Sequence, residues 1–478
     1  MITQFSRALL GFLAALGPAA ALATVSPATP ADRAADALAH DIYKELVDID
    51  TTDNVTPAAQ AMAQRFRAAG FAAADVQLAG PNERKQNLVV RLHGTGKQRP
   101  VLLIGHLDVV AARREDWSTD PFKLVEQGGF FYGRGTLDMK GPDAIMVTTL
   151  IRLKQEGFQP SRDIILALTA DEESGAFDGV DWLVKNRRAL IDAQLVLSGD
   201  EFSVVTEHGV PQFFRLVASE KLYADYQLSV TGPGGHSSQP GPDNPIYSLS
   251  RALQRLADYH FPFELNNVTR AYLERMTSIE SGERQADIRA VLRGRPDAQA
   301  LRRFDADPID RSAVRTTCVA TRLSGGHANN ALPQRAEAVV NCRILPGHTA
   351  EEVRQQLVRI LADPKVAVRY IETDGTIVER APAGGGFAPA PLPPQLLQPL
   401  EQVVGQMWPG TKVIPSMSEG ASDAAYTSAA GFPTFTFNGL AVDRDDDREH
   451  GRDERVGVTS FYRGNEFFYR FMKAFAHT

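Results

Sequence analysis

The sequence predicts an α/β fold, a mixed, mostly parallel sheet flanked by helices, with a smaller α+β domain inserted as a lid. Three observations carry this. Short, wholly apolar runs such as Val101 to Ile104 alternate with amphipathic stretches of helical period, the pattern of strands covered on both faces. The chain has 478 residues, too many for one hydrophobic core. From about Val210 the strand pattern changes from continuous to alternating, as in sheets with one open face.

Taken in order, Ala34 to Val47 and Pro57 to Ala69 read as helices, Asn87 to Leu92 and Val101 to Ile104 as strands. A helix over Gly141 to Gln155, a strand over Asp163 to Leu168, a helix over Gly179 to Asn186 and a strand over Ala193 to Leu197 complete the first part. In the insertion, Tyr226 to Val230, Val314 to Arg322 and Ala336 to Leu345 read as strands, Asn244 to Tyr259 and Ala350 to Ala362 as helices. The segment Pro262 to Pro308 is polar and Arg-rich and shows no clear period. Pro382 to Pro394 is the expected return, followed by helices over Gln395 to Met407 and Tyr462 to Ala474 with a strand at Pro433 to Phe437 between them. The predicted organisation is therefore 36–209 and 381–478 for the larger domain and 210–380 for the inserted lid.

Composition bounds the function. A formal net charge of −7, with no long basic cluster, argues against nucleic acid as a partner. Arg7 followed by the apolar stretch Ala8 to Leu22 and the small-x-small site Ala21-Leu22-Ala23 reads as a secretory signal peptide over 1–23, with a leader over 24–35. The stretch is short for a bilayer span. The expected location is secreted or periplasmic, without stable membrane association after cleavage. The two cysteines, Cys318 and Cys342, make no disulfide scaffold. Both lie in strand-like runs of one sheet, and an oxidising compartment leaves a single bridge between them open.

Five short segments supply imidazoles and carboxylates beside or near glycine: Gly105 to Asp108, Gly135 to Gly141, Asp171 to Gly175, Ser198 to Glu201 and Glu449 to Gly451. Singly, each has a plain structural reading. An isolated His two residues from an Asp is more often structural, an Asp before a helix is usually an N-cap, and paired acids on a loop are usually solvated. Together they form the donor set of a two-metal site, with zinc the default for mixed His/carboxylate ligands. His106 and Asp108 point the same way along an extended chain. Asp138, among glycines, can offer one carboxylate oxygen to each of two cations. Of the adjacent Glu172 and Glu173, one can bind a cation while the other holds the attacking water as general base. Asp200, with Glu201 as its rival, would close the second shell, and His450 is the better C-terminal histidine because His477 lies at the chain end.

These motifs resemble the co-catalytic di-zinc hydrolases that include aminoacylase, carnosinase and the bacterial glutamate carboxypeptidase. The resemblance runs from about Ala37 to the C-terminus, through GHLDVV at 105–110, GRGTLDMKG at 133–141, TADEESG at 169–175, SGDE at 198–201, GGHSS at 234–238, GGHANNALP at 325–333 and HGRDER at 450–455. The segment 219–240 is most similar to the exported N-acyl amino acid hydrolases and the vacuolar carboxypeptidase. The resemblance implies a zinc-exopeptidase-like catalytic domain binding two Zn2+, with Co2+ or Mn2+ as substitutes. Asp138 would bridge them, His106 and Asp200 completing one site and Glu173 and His450 the other. Glu172 would be the general base and Asp108 the partner of His106. A non-proline cis bond at Asp138-Met139 is expected. His236 would stabilise the oxyanion, and Asn330, Arg343 and Gly420 would bind the substrate, a small peptide or N-acyl amino acid with a free carboxylate.

Two features depart from the family's pattern. His327 occupies a lid-loop position not associated with a histidine. The long 262–308 segment would cover the lid surface through which many members dimerise, so a homodimer is left open and His236 is expected to act within its own chain. The competing readings are a di-zinc aminopeptidase, which would recognise an amine, and a metal-binding protein without catalysis.

Overall fold

The computed structural model describes residues 29–173, 175–293, 298–382 and 389–477. The expected signal peptide and residues 24–28 of the expected leader lie outside these residues. The first helix, Pro30–Asp48, begins inside the expected leader because Thr29 caps it in a capping box with Asp32.

The larger domain is a ten-stranded sheet. Its parallel centre runs Ile164–Thr169, Val101–His106, Leu195–Ser198 and Thr434–Thr436. Antiparallel strands Asn87–Leu92 and Val76–Ala79 extend one side. On the other side lie Val210–Glu220, Val204–Glu207 and Ala441–Asp443, with Val413–Ser418 parallel to Val210–Glu220. Alternate residues of the central strands enter different cores. Leu103, Leu166 and Leu168 pack with helices Pro30–Asp48, Lys140–Gln155, Pro394–Met407 and Val458–His477, while Leu102, Ile104, Ile165 and Ala167 pack with Leu183, Ile191 and Phe432 on the opposite face. That double burial is why these strands are apolar throughout.

The lid is a five-stranded antiparallel sheet in the order Thr317–Gly325, Arg335–Ile344, Leu222–Thr231, Ala367–Ile371, Ile377–Val378. Only one face is covered, by helices Pro245–Ala257 and Ala350–Leu361. Ala224, Tyr226, Leu228 and Val230 alternate inward with Ala336, Ala338, Val340 and Ile344 onto Leu249, Leu256, Val353 and Leu357. Cys318 and Cys342 sit directly opposite across two neighbouring strands, with Cα atoms 4.1 Å apart, and are disulfide-bonded.

Two expectations change. The strand Val210–Glu220 belongs to the larger sheet, so the lid sheet starts at Leu222 and not at 210. Among the described residues, the segment that lacked a period holds three helices, Asn267–Met276, Gly282–Leu292 and Ala298–Ala306, and a fourth, Pro308–Val314, starts at its end. They do not cover the lid. Leu273, Met276, Ile288, Val291, Phe304 and Val314 pack against Val205, Phe213 and Ile414 of the larger sheet. Several of their arginines, which obscured the pattern, are paired: Arg275 with Glu401, Arg284 with Asp310, Arg303 with Asp287.

Candidate metal centre

The donor residues sit where the parallel strands end, the position at which open α/β sheets bind ligands. His106 closes strand Val101–His106, the loop carrying Glu172 and Glu173 follows Ile164–Thr169, and Asp200 follows Leu195–Ser198. Asp138 precedes helix Lys140–Gln155 across a cis peptide bond to Met139.

Two donor triads share one residue. His106, Asp138 and Asp200 form the first, and Asp138, Glu173 and His450 the second, with donor atoms of each within 4.8 Å of one another. His106 Nε2 lies 3.0 Å from Asp138 Oδ1 and 3.3 Å from Asp200 Oδ1. His450 Nε2 lies 2.8 Å from Asp138 Oδ2 and 3.1 Å from Glu173 Oε2. Asp138 thus gives one oxygen to each triad. A tetrahedral shell at zinc bond lengths has edges of about 3.3 Å, so both triads need only small adjustments to hold such an ion. Glu173 Oε1 is buried without a hydrogen-bond partner, a free lone pair where a cation fits. The donor set fits a pair of divalent metals.

Electrostatics agree. Burial pushes Asp200 up to about 7, with the neighbouring Asp138 adding to it against His106. Burial and then Asp200 raise Glu172 well above the usual carboxylate range. Hydrogen bonds to Asp138 and Glu173 push His450 up to about 11. A metal ion held by these donors would compete with protons for the same lone pairs.

The supports of the ligands differ in part from expectation. Asp108 does not orient His106 through its carboxylate: His106 Nδ1 lies 3.0 Å from the Asp108 backbone carbonyl and 3.8 Å from Asp108 Oδ1. The carboxylate instead accepts the backbone N–H groups of Glu172 (3.2 Å) and Glu173 (3.0 Å). Glu454, fully buried, was not anticipated. Its carboxylate accepts the N–H groups of Gly135, Leu137 and Asp138 and pairs with Arg134 at 2.6 Å. Arg134 in turn donates to the carbonyls of His450 and Gly451. One ion pair therefore frames both the bridging aspartate and the C-terminal histidine, which itself adopts a left-handed φ of 59°. Lys85 pairs with the buried Asp171, whose other oxygen accepts the Phe177 N–H. In the sequence, only Glu454's place within HGRDER hinted at a role.

The triads line a cavity of about 1040 Å3 between body and lid. Glu172, Arg343 and Gly420 line it, together with Tyr223, Tyr370 and Tyr426. Arg343 stacks on Tyr223 at 4.7 Å and makes no salt bridge among the described residues. The Gly420 N–H donates to Ser418 Oγ. His236 and Asn330 are not brought to this cavity. His236 is exposed, in a short ladder with Ala331, its Nδ1 accepting from Ser238, and Asn330 beside it is exposed too. His327 is likewise exposed, on the lid loop as expected.

A parallel sheet ending in two carboxylate-bridged His/acid triads, under an inserted lid, defines the class of two-metal hydrolases. The sequence matches the peptidase family M20/M25/M40 over residues 102–474, and the chain belongs to that family of metallopeptidases and amidohydrolases. It is 29% identical over 393 residues to the mouse N-fatty-acyl-amino acid synthase/hydrolase PM20D1, covering 78% of this chain and 74% of that one. It is 26% identical to the probable carboxypeptidase S-like 2 of Dictyostelium discoideum, covering 78% of this chain and 71% of that one. Its fold is similar to that of the M20 family metallo-carboxypeptidase Sso-CP2 from Sulfolobus solfataricus, at a TM-score of 0.68 and 16% identity, covering 92% of this chain and 99% of that one.

Proposed function

We propose that this chain is an exported zinc hydrolase that cleaves an amide or peptide bond next to a free carboxylate, in a dipeptide or an N-acyl amino acid. The observation that carries this reading is Asp138 shared between two His/carboxylate triads, with Glu172 beside them but in neither. Two zinc ions held there supply Lewis acidity for the scissile carbonyl and acidify the attacking water. Co2+ or Mn2+ would serve the same donors.

The chain's own residues do the rest. The Glu172 carboxylate, its proton affinity raised by burial, takes the proton of the attacking water and delivers it to the leaving nitrogen. Arg343, a cavity-lining guanidinium without a carboxylate partner among the described residues, holds the substrate carboxylate through its bidentate fork. The backbone at Gly420 flanks the same end of the substrate, and Asn330, exposed on the lid, joins it only when the lid closes. His236 acts as the oxyanion donor once lid closure, or the lid of a second copy, brings it over the metals. Strand Thr317–Gly325 is the lid's edge strand, and the four helices from Asn267 to Val314 pack away from it; a lid-to-lid homodimer is therefore sterically open.

The test is metal content together with hydrolysis of an N-acetyl amino acid, a dipeptide and the same dipeptide amidated at its C-terminus. About two zinc ions per chain with activity lost on amidation is the expected result. Activity that survives amidation would move the reading to an aminopeptidase, and metal without turnover to a binding protein. Export is read from the mature N-terminus, expected at Thr24. Among the described residues no helix is long and apolar enough to cross a membrane.

A further inference from the structure

The chain crosses between body and lid several times, and one buried lysine links three of those crossings. Lys221 stands between Glu220, the last residue of body strand Val210–Glu220, and Leu222, the first of lid strand Leu222–Thr231. It is fully buried. Its backbone N–H donates to the Ser418 carbonyl at 3.1 Å, which holds it to the end of body strand Val413–Ser418. Its Nζ donates to the Arg315 carbonyl at 2.8 Å and to Ser312 Oγ at 3.1 Å. Arg315 lies in the second crossing, between Val314, packed in the body, and Thr317, the first residue of lid strand Thr317–Gly325. The Arg315 guanidinium in turn donates to the Phe261 carbonyl. That is the third crossing, where Phe261 packs in the lid and Phe263 in the body. The final return from lid to body passes through 383–388, outside the described residues.

A buried ammonium is destabilising, and carbonyl and hydroxyl oxygens compensate it less well than a carboxylate does. Among the described residues Lys221 makes no salt bridge, its side chain donating only to the Arg315 carbonyl and the Ser312 hydroxyl. Burial brings it down to about 8, with Glu419 and Arg343 acting on it in opposite senses. At pH 7 it therefore still carries three N–H donors. An apolar residue would pack at this junction without that penalty; what the lysine adds is its reach to the neighbouring crossing.

The strand register shows what the tie controls. Arg343 pairs with Tyr223 on one side and Thr317 on the other, one residue beyond the row of Leu222 and Ile344. It sits at the body end of the lid sheet, flanked by the two strands whose starts Lys221 joins. His236 and Asn330 belong to the opposite end, past the pair Thr231 and Arg335. From Tyr223 to Thr231 the strand spans about 27 Å. A lid rotation of about 10° at the Leu222 row carries the far end about 5 Å but Arg343 less than about 1 Å.

We propose that Lys221 is a positioning residue: by tying the crossings at 221 and 315 it fixes the pivot of the lid, and with it the place of Arg343 in the metal cavity, while the end that bears His236 and Asn330 stays free to swing. This rests on Arg343 holding the substrate carboxylate, as proposed above. Lys221 touches neither substrate nor metal; it acts through the lid strands.

Lys221→Met keeps the length of the side chain and removes its donors. Its Tm should match or exceed that of wild type, because a buried charge is gone. KM for an N-acetyl amino acid should rise about ten- to a hundredfold with kcat within about threefold, the mark of lost substrate binding. In a double variant with Arg343→Ala the losses should not multiply, and kcat/KM should lie within about twofold of Arg343→Ala alone. Hydrogen exchange gives a readout independent of turnover. Amides at 222–223 and 316–318 should exchange at least about tenfold faster in the Met variant, with strand Val101–His106 unchanged. An unchanged KM, losses that multiply, unchanged exchange, or a Met variant that melts well below wild type would overturn the proposal. Ser312→Ala removes one acceptor only and should raise KM about threefold; a wild-type KM there overturns the proposal even if the Met variant cannot be purified. A wild type that binds zinc but hydrolyses nothing overturns the proposed function instead and leaves the exchange test standing.

Discussion

Asp108→Asn isolates how the base-bearing loop is held. The Asp108 carboxylate is buried and spends both oxygens on the loop, Oδ1 on the Glu172 N–H at 3.2 Å and Oδ2 on the Glu173 N–H at 3.0 Å. An amide of the same shape can accept with its one oxygen, and its NH2 then faces the other N–H, donor against donor. The loss is one charge-assisted hydrogen bond to a buried backbone donor, about 1.5–3 kcal/mol. If that loss appears as displacement of Glu172 in the transition state, kcat falls by roughly ten- to a hundred-and-fiftyfold, since 1.36 kcal/mol is one factor of ten. His106 should be unaffected, because its Nδ1 pairs with the Asp108 backbone carbonyl, which the substitution keeps. Steady-state kinetics and zinc per chain, measured on the same preparation, decide it. The expected result is a lowered kcat with KM and both metals retained. An unchanged kcat refutes the loop argument. Loss of zinc with kcat per metal-loaded site preserved would show that the carboxylate serves His106 after all.

Further outcomes follow from neighbouring residues. Glu172→Gln should abolish turnover while both metals stay bound, read by activity and metal analysis together. Glu454→Gln removes an acceptor from the turn that sets Asp138, and should weaken zinc binding by about ten- to a hundredfold, measured by competition with a chelator. Lys85→Met strands the buried Asp171 charge; breaking such a pair costs about 3–5 kcal/mol, and calorimetry should show a lowered Tm that the double variant with Asp171→Asn partly restores. Asp143 is fully buried with neither oxygen partnered, and burial raises its pKa well above the usual carboxylate range. The unfolded chain gives up that proton above about pH 4 and the folded chain keeps it, so stability falls as pH rises past that point. Asp143→Asn should therefore raise Tm at pH 8, with the gain shrinking toward pH 4; an equal shift at both pH values would contradict the assignment.

The residues that were legible in the sequence are those whose chemistry is local. Strand Asn87–Leu92 and helix Gly179–Asn186 have the ends that apolar runs and capping residues mark. The candidate donors His106, Asp138, Glu173, Asp200 and His450 were picked out because a metal shell restricts residue type, and the structure brings them together in two triads. What supports them was not legible. Glu454 answers to backbone N–H groups of the turn around Asp138, and any residue there would present the same N–H groups, so the turn carries no trace of its partner. The four helices from Asn267 to Val314 were hidden by a different cause: arginines paired with aspartates at their contacts, as Arg303 is with Asp287, break the apolar stripe by which amphipathic helices are recognised. The lid start was placed at 210 because the change of texture there carries no mark of which sheet the strand Val210–Glu220 joins, and it pairs in the larger sheet. His236 marks the last limit. Its neighbours in the ladder with Ala331 fix its backbone within the lid, but its distance from the metals depends on how the lid is carried, a rigid-body property that no local pattern encodes. The lid-borne candidates for substrate binding are therefore the ones whose roles wait on the kinetic tests above, whereas the two donor triads, drawn from strand ends, a helix start and a C-terminal loop of the larger domain, do not depend on lid position.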